Sequence, residues 1–510
     1  MEFLLKSDIE FTFPSNFFVL FFFNFLDKVT GLYSFTEKMK SSFLLRILLY
    51  IVFVHPSSLA FEPFKYKTLS DLENELKRLS IPLLISNSIE KLSEVVQCGG
   101  IIVPNRLSIQ PMEGFDATLS GSPSDLTFRR YKRFAQSGVG LIWFESTAIS
   151  DNCRSNDHQL VLSEENLKDF KQLTTLVRKQ CDRTLESLGF MNSCSLILQL
   201  NHSGRYSKRE GKRYPIRAYH NDELDKAIFV KKEDGVIISD NELKEIEEIW
   251  IQKAILAKEA GFDGVDIKAC HGYLISELLS SYQREVSDYG GENLENRSKL
   301  YLNIVSQLQN KFRKDNDFII TSRLGVYDGI PYPSGFGVKS VLGEKFPASV
   351  DLEEPIELVN KLHSFGVRLL NITVGNPYHQ AHLTRPFDVP VKGGRLPEEH
   401  PLFSAYRILY LASLIKRLTP PDMIIIGSGY SYFRHFAGNI ASGVIQNGMA
   451  DICGFGRMSF ANPEFAKQIF QNGMIEKTKS CNTCSKCSQF MREGRSTGCA
   501  VRDPKYRNRD

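Results

Sequence analysis

Four cysteines near the end of the printed sequence have a spacing that suits a metal centre. They are Cys481, Cys484, Cys487 and Cys499, in the pattern C-x2-C-x2-C-x11-C. Four thiolates so close along a chain can converge on one centre, either a four-iron cluster or a zinc ion. Structural zinc sites usually show two separated pairs of cysteines, so this spacing favours iron-sulfur and leaves zinc open.

Glycines and an arginine late in the chain form a second set that can bind a ligand. Gly429 follows one apolar run, and Gly456 and Arg457 end the next one. Backbone N–H groups in glycine turns and a guanidinium group can together hold a phosphate. Ordinary turn formation is the alternative explanation of these glycines.

The elements that must position these groups are eight short apolar runs, each followed by a helical pattern. The runs cover residues 107–111, 140–147, 196–202, 264–269, 319–324, 369–374, 423–428 and 452–457. Continuous apolar runs that alternate with helices predict buried parallel strands, and hence an α/β fold of the (β/α)8 TIM barrel type. Reactive groups in such barrels lie on the face where the strands end, so we expect one shared site there.

Two helices can be placed from their end signals. The clearest is predicted over 240–260, with Ser239 and Asp240 as its cap and Gly261 at its end. A shorter amphipathic helix is predicted over 70–79.

Composition limits the class of protein. Hydrophobic residues make up 42% and charged residues 24% of the chain, which is ordinary for a globular protein. The formal net charge of +4 is too small for the concentrated basic surface of a nucleic-acid-binding protein. The six cysteines outside the C-terminal group lack paired spacing, so we expect a reducing compartment, the cytoplasm or an organelle matrix.

One segment resembles a known enzyme family. Val265–Arg297, VDIKACHGYLISELLSSYQREVSDYGGENLENR, is similar to the fourth-strand signature of the old yellow enzyme family. Further matches are Asn105–Gly114, Leu196–Arg205, Ser322–Gly325 and Ala450–Phe465, and the resemblance extends from about Phe64 to the C-terminus. It implies an FMN-binding barrel that takes electrons from NAD(P)H and reduces an activated carbon–carbon double bond.

The resemblance also implies the flavin contacts. These are Pro111, Met112 and Ser146 beside the ring, Gln199 at its pyrimidine edge, Arg323 near N1 and C2, and Gly429, Gly456 and Arg457 at the ribityl phosphate.

On the substrate side, the resemblance makes His271 a residue that orients a carbonyl group. It makes Tyr273 the general acid, since a phenol with a pKa near 10 keeps its proton at neutral pH. Lys268 departs from the family pattern and either attracts a carboxylate or an enolate, or pairs with Glu113. His379 lies where dienoyl-CoA reductase-like members place a histidine that assists proton transfer, or is a surface histidine.

The C-terminal cysteines resemble the 4Fe-4S motif of dienoyl-CoA reductase, 2-enoate reductase and trimethylamine dehydrogenase. No GxGxxG follows them, so electrons are expected either from NAD(P)H over the flavin or from a separate ferredoxin-like carrier. Nine basic and three acidic residues between Lys477 and Asp510 suit an acidic carrier, or form a solvated surface.

The expected domain organisation has four parts. They are a hydrophobic N-terminal extension (1–60), a helical prelude (61–100), the FMN-binding barrel (101–475) and a cysteine-rich iron-sulfur tail (476–510), called the cysteine tail below. The apolar runs 11–26 and 43–54 are shorter than the roughly 20 residues of a membrane-spanning helix. The extension is therefore either a misassigned start or a targeting or membrane-associating leader.

Two other functions stay open on the same scaffold. An amine dehydrogenase or demethylase needs an aromatic bowl for its cationic substrate, and Lys268 would repel that cation. An electron-transfer flavoprotein would turn over no small molecule of its own. We expect a small unsaturated carbonyl or acid as the substrate, and a homo-oligomer is left open.

Overall fold

The computed structural model describes residues 60–285 and 287–507. All but the last residue of the predicted N-terminal extension lies outside the described residues. The chain divides into two compact units, Met1–Pro56 with Asn74–Pro82, and Ser57–Glu73 with Leu83–Asp510. Of the first unit, only 74–82 is described, and it contains the end of the helix Leu69–Arg78. No helix within the described ranges has both the length and the apolar character needed to cross a membrane.

The second unit contains a closed barrel of eight parallel strands. They are β1 Leu107–Ile109, β2 Leu141–Ala148, β3 Ser195–Asn201, β4 Gly264–Ile267, β5 Ile319–Gly325, β6 Leu369–Thr373, β7 Ile424–Gly427 and β8 Ile452–Phe455. Each strand pairs with its neighbours in chain order, and β8 pairs with β1 to close the ring. All eight predicted runs form barrel strands, so the predicted (β/α)8 fold is confirmed.

The apolar character of the strands follows from burial on both faces. Every residue of β2 and of β3 is buried, because the barrel interior covers one face and helices cover the other. A short hairpin, Val96–Cys98 with Ile101–Val103, packs in the same core cluster as Trp143 of β2 and Leu369 of β6. It was not predicted, since strands of three residues carry little periodicity.

One buried carboxylate links four strands near the middle of the barrel. Asp266 of β4 accepts hydrogen bonds from Trp143 Nε1 of β2 (2.7 Å) and Gln199 Nε2 of β3 (2.6 Å). Its other oxygen accepts from the backbone N of Arg323 in β5 at 2.7 Å. Burial raises the pKa of Asp266 to about 6 despite these bonds.

Helices separate the strands along the chain. The described helices are Leu69–Arg78, Asp125–Phe134, Leu167–Glu186, Asp222–Ala227, Asp240–Glu259, Leu274–Leu279, Leu294–Lys311, Glu353–Ser364, Ala381–Thr384, Pro401–Leu418, Ala437–Gln446, Arg457–Ala461, Phe465–Asn472, Lys486–Arg492 and Pro504–Arg507. The predicted helix 240–260 is confirmed as Asp240–Glu259, capped by reciprocal bonds between Ser239 and Glu242. Gly261 follows it with a φ of +89°, as a helix-ending glycine does.

Candidate active site

Three tyrosines form an aromatic group where strands end, called the tyrosine cluster here. Tyr273 follows β4 and begins the helix Leu274–Leu279. Its hydroxyl lies 2.9 Å from the hydroxyl of Tyr378, which follows β6. Tyr206, from the segment after β3, stacks on Tyr378 at a centroid distance of 3.7 Å and meets Tyr273 edge-on at 5.3 Å. Burial raises the pKa of Tyr273 well above its ordinary value, so the phenol is protonated at neutral pH.

Lys268 lies against this cluster. Its Nζ is 3.7 Å from the centroid of the Tyr273 ring, and the side chain is only 5% exposed. Burial lowers the pKa of Lys268, while the nearby carboxylate of Glu113 raises it. Glu113 Oε1 is buried and forms no hydrogen bond with any described residue. The structure therefore brings the two charges near each other without the predicted alternative of a direct Lys268–Glu113 ion pair.

His271 lies between the same strand ends in an unusual backbone conformation. Its φ is +65°, and its Nε2 lies 3.3 Å from the hydroxyl of Thr373 at the end of β6. Burial and the charges of Arg323 and Lys268 lower the pKa of His271 well below 6.5. The imidazole is therefore neutral at pH 7 and offers one donor and one acceptor.

His379 takes a different direction from the one expected of a proton-transfer residue. Its Nε2 lies 2.9 Å from the carboxylate of Glu223, and its ring packs 4.9 Å from the ring of Phe346. The residue that contacts Tyr273 is its neighbour Tyr378. The structure thus brings Tyr273, His271 and Lys268 together and leaves His379 outside the group.

The glycine turns that follow β7 and β8 are joined by a hydrogen bond. Gly429 has a φ of +99° and starts the 3₁₀ segment Tyr430–Phe436, whose Ser431 hydroxyl accepts from Met458 N at 3.1 Å. Gly456 directly precedes the helix Arg457–Ala461, which contains Met458. The strand ends predicted to hold a phosphate are therefore adjacent.

Two guanidinium groups at this place each have one buried nitrogen without an acceptor among the described residues. Arg457 donates through Nη2 to Pro386 O at 2.6 Å, while its Nη1 is buried and unbonded among the described residues. Arg385 Nη1 is likewise buried and unbonded there. Burial, and then the neighbouring charge of Arg457, lower the pKa of Arg385 to about 9. Two close cations with unpaired donors fit a phosphate dianion, so these residues fit the phosphate of FMN. We call Gly429, Ser431, Gly456, Arg457 and Arg385 the phosphate corner.

The remaining predicted flavin contacts line the ends of β1, β2, β3 and β5. Met112 Sδ lies 3.1 Å from where a Cβ would stand on Gly456, so β1 ends beside the phosphate corner, and Pro111 precedes Met112. Ser146 is buried in β2, where Gln159 Nε2 donates to its hydroxyl at 3.2 Å.

The bond to Asp266 fixes the carboxamide of Gln199 in β3. Arg323, in β5, is 9% exposed, and its Nε has no hydrogen-bond partner among the described residues. An unpaired buried donor beside the mouth fits an electron-rich ring edge.

The cysteine tail packs on the same end of the barrel. Cys481 N donates to Met458 Sδ at 3.5 Å, and Thr497 N donates to Gly114 O after β1 at 2.6 Å. Burial raises the pKa of Cys481 to about 12; Arg457 opposes this and the neighbouring thiols of Cys487 and Cys499 add to it. The Cys499 pKa is also raised, first by burial, and both Cys487 and Cys484 contribute. The four thiols thus share one neighbourhood beside the phosphate corner.

Four residues of the site were not predicted from the sequence. Tyr378 and Arg385 lie beyond the end of β6, and Tyr206 and Ser431 lie in short 3₁₀ segments. Tyr378 adjoins His379 in the GNPYHQAH segment, so an aromatic residue next to a predicted site residue was the only available signal.

Comparison with known proteins relates this chain to flavin oxidoreductases. A model of the NADH:flavin oxidoreductase / NADH oxidase family matches residues 91–336. The chain is 24% identical over 396 residues to the NADH:flavin oxidoreductase FG08077 of Gibberella zeae, covering 75% of this chain and 86% of that protein. It is 26% identical over 377 residues to the NADPH dehydrogenase of Clostridium acetobutylicum, covering 74% and 93% respectively.

Solved structures share the fold. The complex of 2-naphthoyl-CoA reductase with 2-naphthoyl-CoA matches 82% of this chain, with a TM-score of 0.63 and 19% identity. Histamine dehydrogenase from Rhizobium sp. 4-9 also matches 82%, with a TM-score of 0.61 and 17% identity. This chain spans 58% and 52% of the length of those two proteins. The chain belongs to the NADH:flavin oxidoreductase / NADH oxidase family, the family of old yellow enzyme, and is an FMN-dependent oxidoreductase.

Proposed function

We propose that this enzyme reduces the carbon–carbon double bond of an α,β-unsaturated carbonyl compound, acid or thioester. The observation that carries the proposal is a protonated, buried phenol, Tyr273, with the ammonium group of Lys268 on its ring face. A positive charge stabilises the enolate oxygen that forms during such a reduction, and a phenol can protonate the α-carbon.

FMN would be held by the phosphate corner and by Gln199, Arg323, Ser146, Pro111 and Met112. When bound, FMN supplies the hydride for the β-carbon, after accepting electrons from NAD(P)H. Neutral His271 donates a hydrogen bond to the substrate oxygen, and Lys268 attracts that oxygen electrostatically. Tyr273 then releases its proton to the α-carbon. Lys268 favours a carboxylate or thioester over a cationic substrate.

We also propose that residues 476–510 bind a 4Fe-4S cluster through Cys481, Cys484, Cys487 and Cys499. The C-x2-C-x2-C-x11-C spacing supports a cluster over zinc, because structural zinc sites usually show two separated pairs of cysteines. A ferredoxin-like protein, docking at the basic residues of the tail, would be a second electron donor beside NAD(P)H.

An amine dehydrogenase is the second candidate, because the tyrosine cluster offers aromatic faces to a cation. The structural neighbour histamine dehydrogenase is named for such a substrate. However, Lys268 Nζ already lies over the Tyr273 ring, where the substrate cation would have to bind. This arrangement favours the reductase.

Anaerobic half-reactions test both functions. Purified enzyme is analysed for flavin and iron, reduced with NADH or NADPH, and mixed with 2-enoates, enones and enoyl thioesters while flavin absorbance is recorded. We expect rapid reoxidation by at least one unsaturated compound and no reduction of the oxidised enzyme by histamine or trimethylamine. Reduction by an amine, with no reoxidation by any unsaturated compound, would reverse the choice.

A further inference from the structure

We propose that Tyr378 is a proton relay that returns a proton to Tyr273 after each turnover. This inference rests on the proposed function, because it assumes that Tyr273 gives its proton to the substrate. Its basis is the 2.9 Å contact between the two hydroxyl oxygens, which is an ordinary hydrogen-bond distance between phenols.

Tyr273 needs such a relay because it has little access to water. It is 3% exposed and is covered by Tyr206, Tyr378 and Lys268. Tyr378 is partly exposed as a residue, whereas Tyr273 is buried, so Tyr378 is the more exposed member of the pair. The more buried tyrosine is thus the donor to the substrate, and the more exposed one supplies it.

The surroundings hold Tyr378 without using its hydroxyl group. Its backbone N donates to Asn376 Oδ1 at 2.9 Å, and its ring stacks on Tyr206. Asn376 Nδ2 donates to Tyr206 Oη at 3.1 Å, which fixes the stacking partner as well. The hydroxyl of Tyr378 is therefore oriented by the backbone and ring and bonds to Tyr273.

The proton balance of the step is simple. The Tyr273 O–H bond breaks as the α-carbon–hydrogen bond of the substrate forms. The Tyr273 phenolate then takes the proton of the Tyr378 hydroxyl, and Tyr378 takes one from water. No electrons move in this step. The charged groups that face the pair are Glu113 and Lys268 beside Tyr273, and Arg492 of the cysteine tail beside Tyr378.

The test separates the first turnover from later ones. Tyr378→Phe keeps the stacked ring and removes the relay hydroxyl. In stopped-flow mixing of reduced enzyme with the unsaturated substrate, we expect the first turnover to stay within about threefold of wild type, because Tyr273 starts protonated. The steady-state rate should fall about tenfold, less than the roughly hundredfold or more that loss of a general acid costs, and recover partly with imidazole buffer as a small acid.

Tyr206→Phe is the comparator, since its hydroxyl bonds to Asn376 and not to Tyr273. There we expect any loss to be equal in the first and later turnovers, as a packing effect would be. The relay is refuted if Tyr378→Phe slows both phases equally, or if it changes neither.

A second readout needs no substrate and so separates failure of the relay from failure of the proposed function. The 13Cζ NMR signal of Tyr273 in tyrosine-labelled holoenzyme, assigned with Tyr273→Phe, should shift in Tyr378→Phe and much less in Tyr206→Phe. An unchanged Tyr273 signal in Tyr378→Phe would refute the hydrogen bond, whatever substrate the enzyme uses.

Discussion

At the scale of single residues, Arg385 is the group whose surroundings most require a ligand. Its buried Nη1 and that of Arg457 have no acceptor among the described residues, and the two cations repel each other. We predict that Arg385→Gln weakens FMN binding at least about tenfold, since one hydrogen bond to a charged group contributes about 1.5–3 kcal/mol. FMN titration of the deflavinated protein by fluorescence checks this.

Arg395→Gln is the matched control, because Arg395 is exposed and lies in the same loop region after β6. An unchanged FMN affinity in Arg385→Gln, or an equal loss in both variants, would contradict the assignment of Arg385 to the phosphate corner.

Lys268 governs the predicted pH dependence. Its pKa is lowered by burial, so the ammonium loses its proton at a lower pH than an exposed lysine does. Attraction of an anionic substrate should therefore be complete at low pH and should weaken as pH rises through this lowered pKa. Glu113 and Arg323 face the same ammonium, and Glu113 raises its pKa while Arg323 lowers it.

Because the pKa of Tyr273 is raised and that of His271 is lowered, we expect neither residue to change its charge between about pH 7 and 10. In kcat/KM profiles for a 2-enoate, we expect an alkaline limb below pH 10.5 that Lys268→Met abolishes along with most of the substrate affinity. A limb that persists in Lys268→Met would assign it to another group.

How far the sequence predicts these residues depends on where they sit. Tyr273, His271 and Lys268 follow a strand within a recognisable motif, so their proximity could be predicted. Tyr378 and Arg385 reach the site through the fold of a long loop after β6, and nothing local in their spacing encodes that approach. His379 was predicted in place of Tyr378 because adjacent loop residues point in different directions that only the folded backbone fixes.

At the scale of elements, the barrel strands are predictable because burial on both faces demands uninterrupted apolar runs. The hairpin Val96–Cys98 with Ile101–Val103, the pair Lys208–Arg209 with Lys212–Arg213, and the pair Ile216–Arg217 with Val236–Ile237 are two or three residues long per strand. Such strands are set by tertiary contacts, so their sequences carry no usable period.

The end of β8 shows how tightly neighbouring strands are fitted. A Cβ on Gly454 would overlap the Gln110 carboxamide, which bonds to Ser428 Oγ at 3.0 Å and accepts from Asn371 Nδ2 at 2.7 Å. We predict that Gly454→Ala destabilises the fold by about 1–3 kcal/mol, as overpacking does, and lowers FMN content. Gly325→Ala in β5, whose Cβ would meet nothing closer than 3.4 Å, is the control.

Thermal unfolding and flavin analysis of both glycine variants test whether Gly454→Ala loses stability and FMN content relative to Gly325→Ala. Equal melting temperatures for Gly454→Ala and Gly325→Ala would show that the Gln110 carboxamide moves aside at no cost.

At the scale of the whole described chain, the cysteine tail is attached to the barrel end that carries the site. Arg129, in the helix after β1, forms a two-bond ion pair with Asp503 at 2.7 and 2.8 Å. Asp388 N, in the loop after β6, donates to Thr483 O at 3.2 Å. These contacts hold both ends of the tail against a helix and a loop of the barrel, and Cys481 lies near Arg457, so a centre bound by its cysteines would lie close to the phosphate corner.

We therefore expect that a metal centre bound by the cysteines would stabilise the tail more than it stabilises the barrel. Between the attachments at Thr483 and Asp503, the tail has only one helix longer than four residues, Lys486–Arg492, and most of its residues are not fully buried, so cysteine ligands would supply much of its order. We predict that Cys499→Ala loses iron and makes the tail sensitive to limited proteolysis, while the barrel keeps at least half of its FMN. Ser496→Ala, in the same loop, should keep iron, FMN and protease resistance. Zinc in place of iron in the wild type would contradict the cluster, and an intact, protease-resistant tail in Cys499→Ala would contradict the link between metal and order.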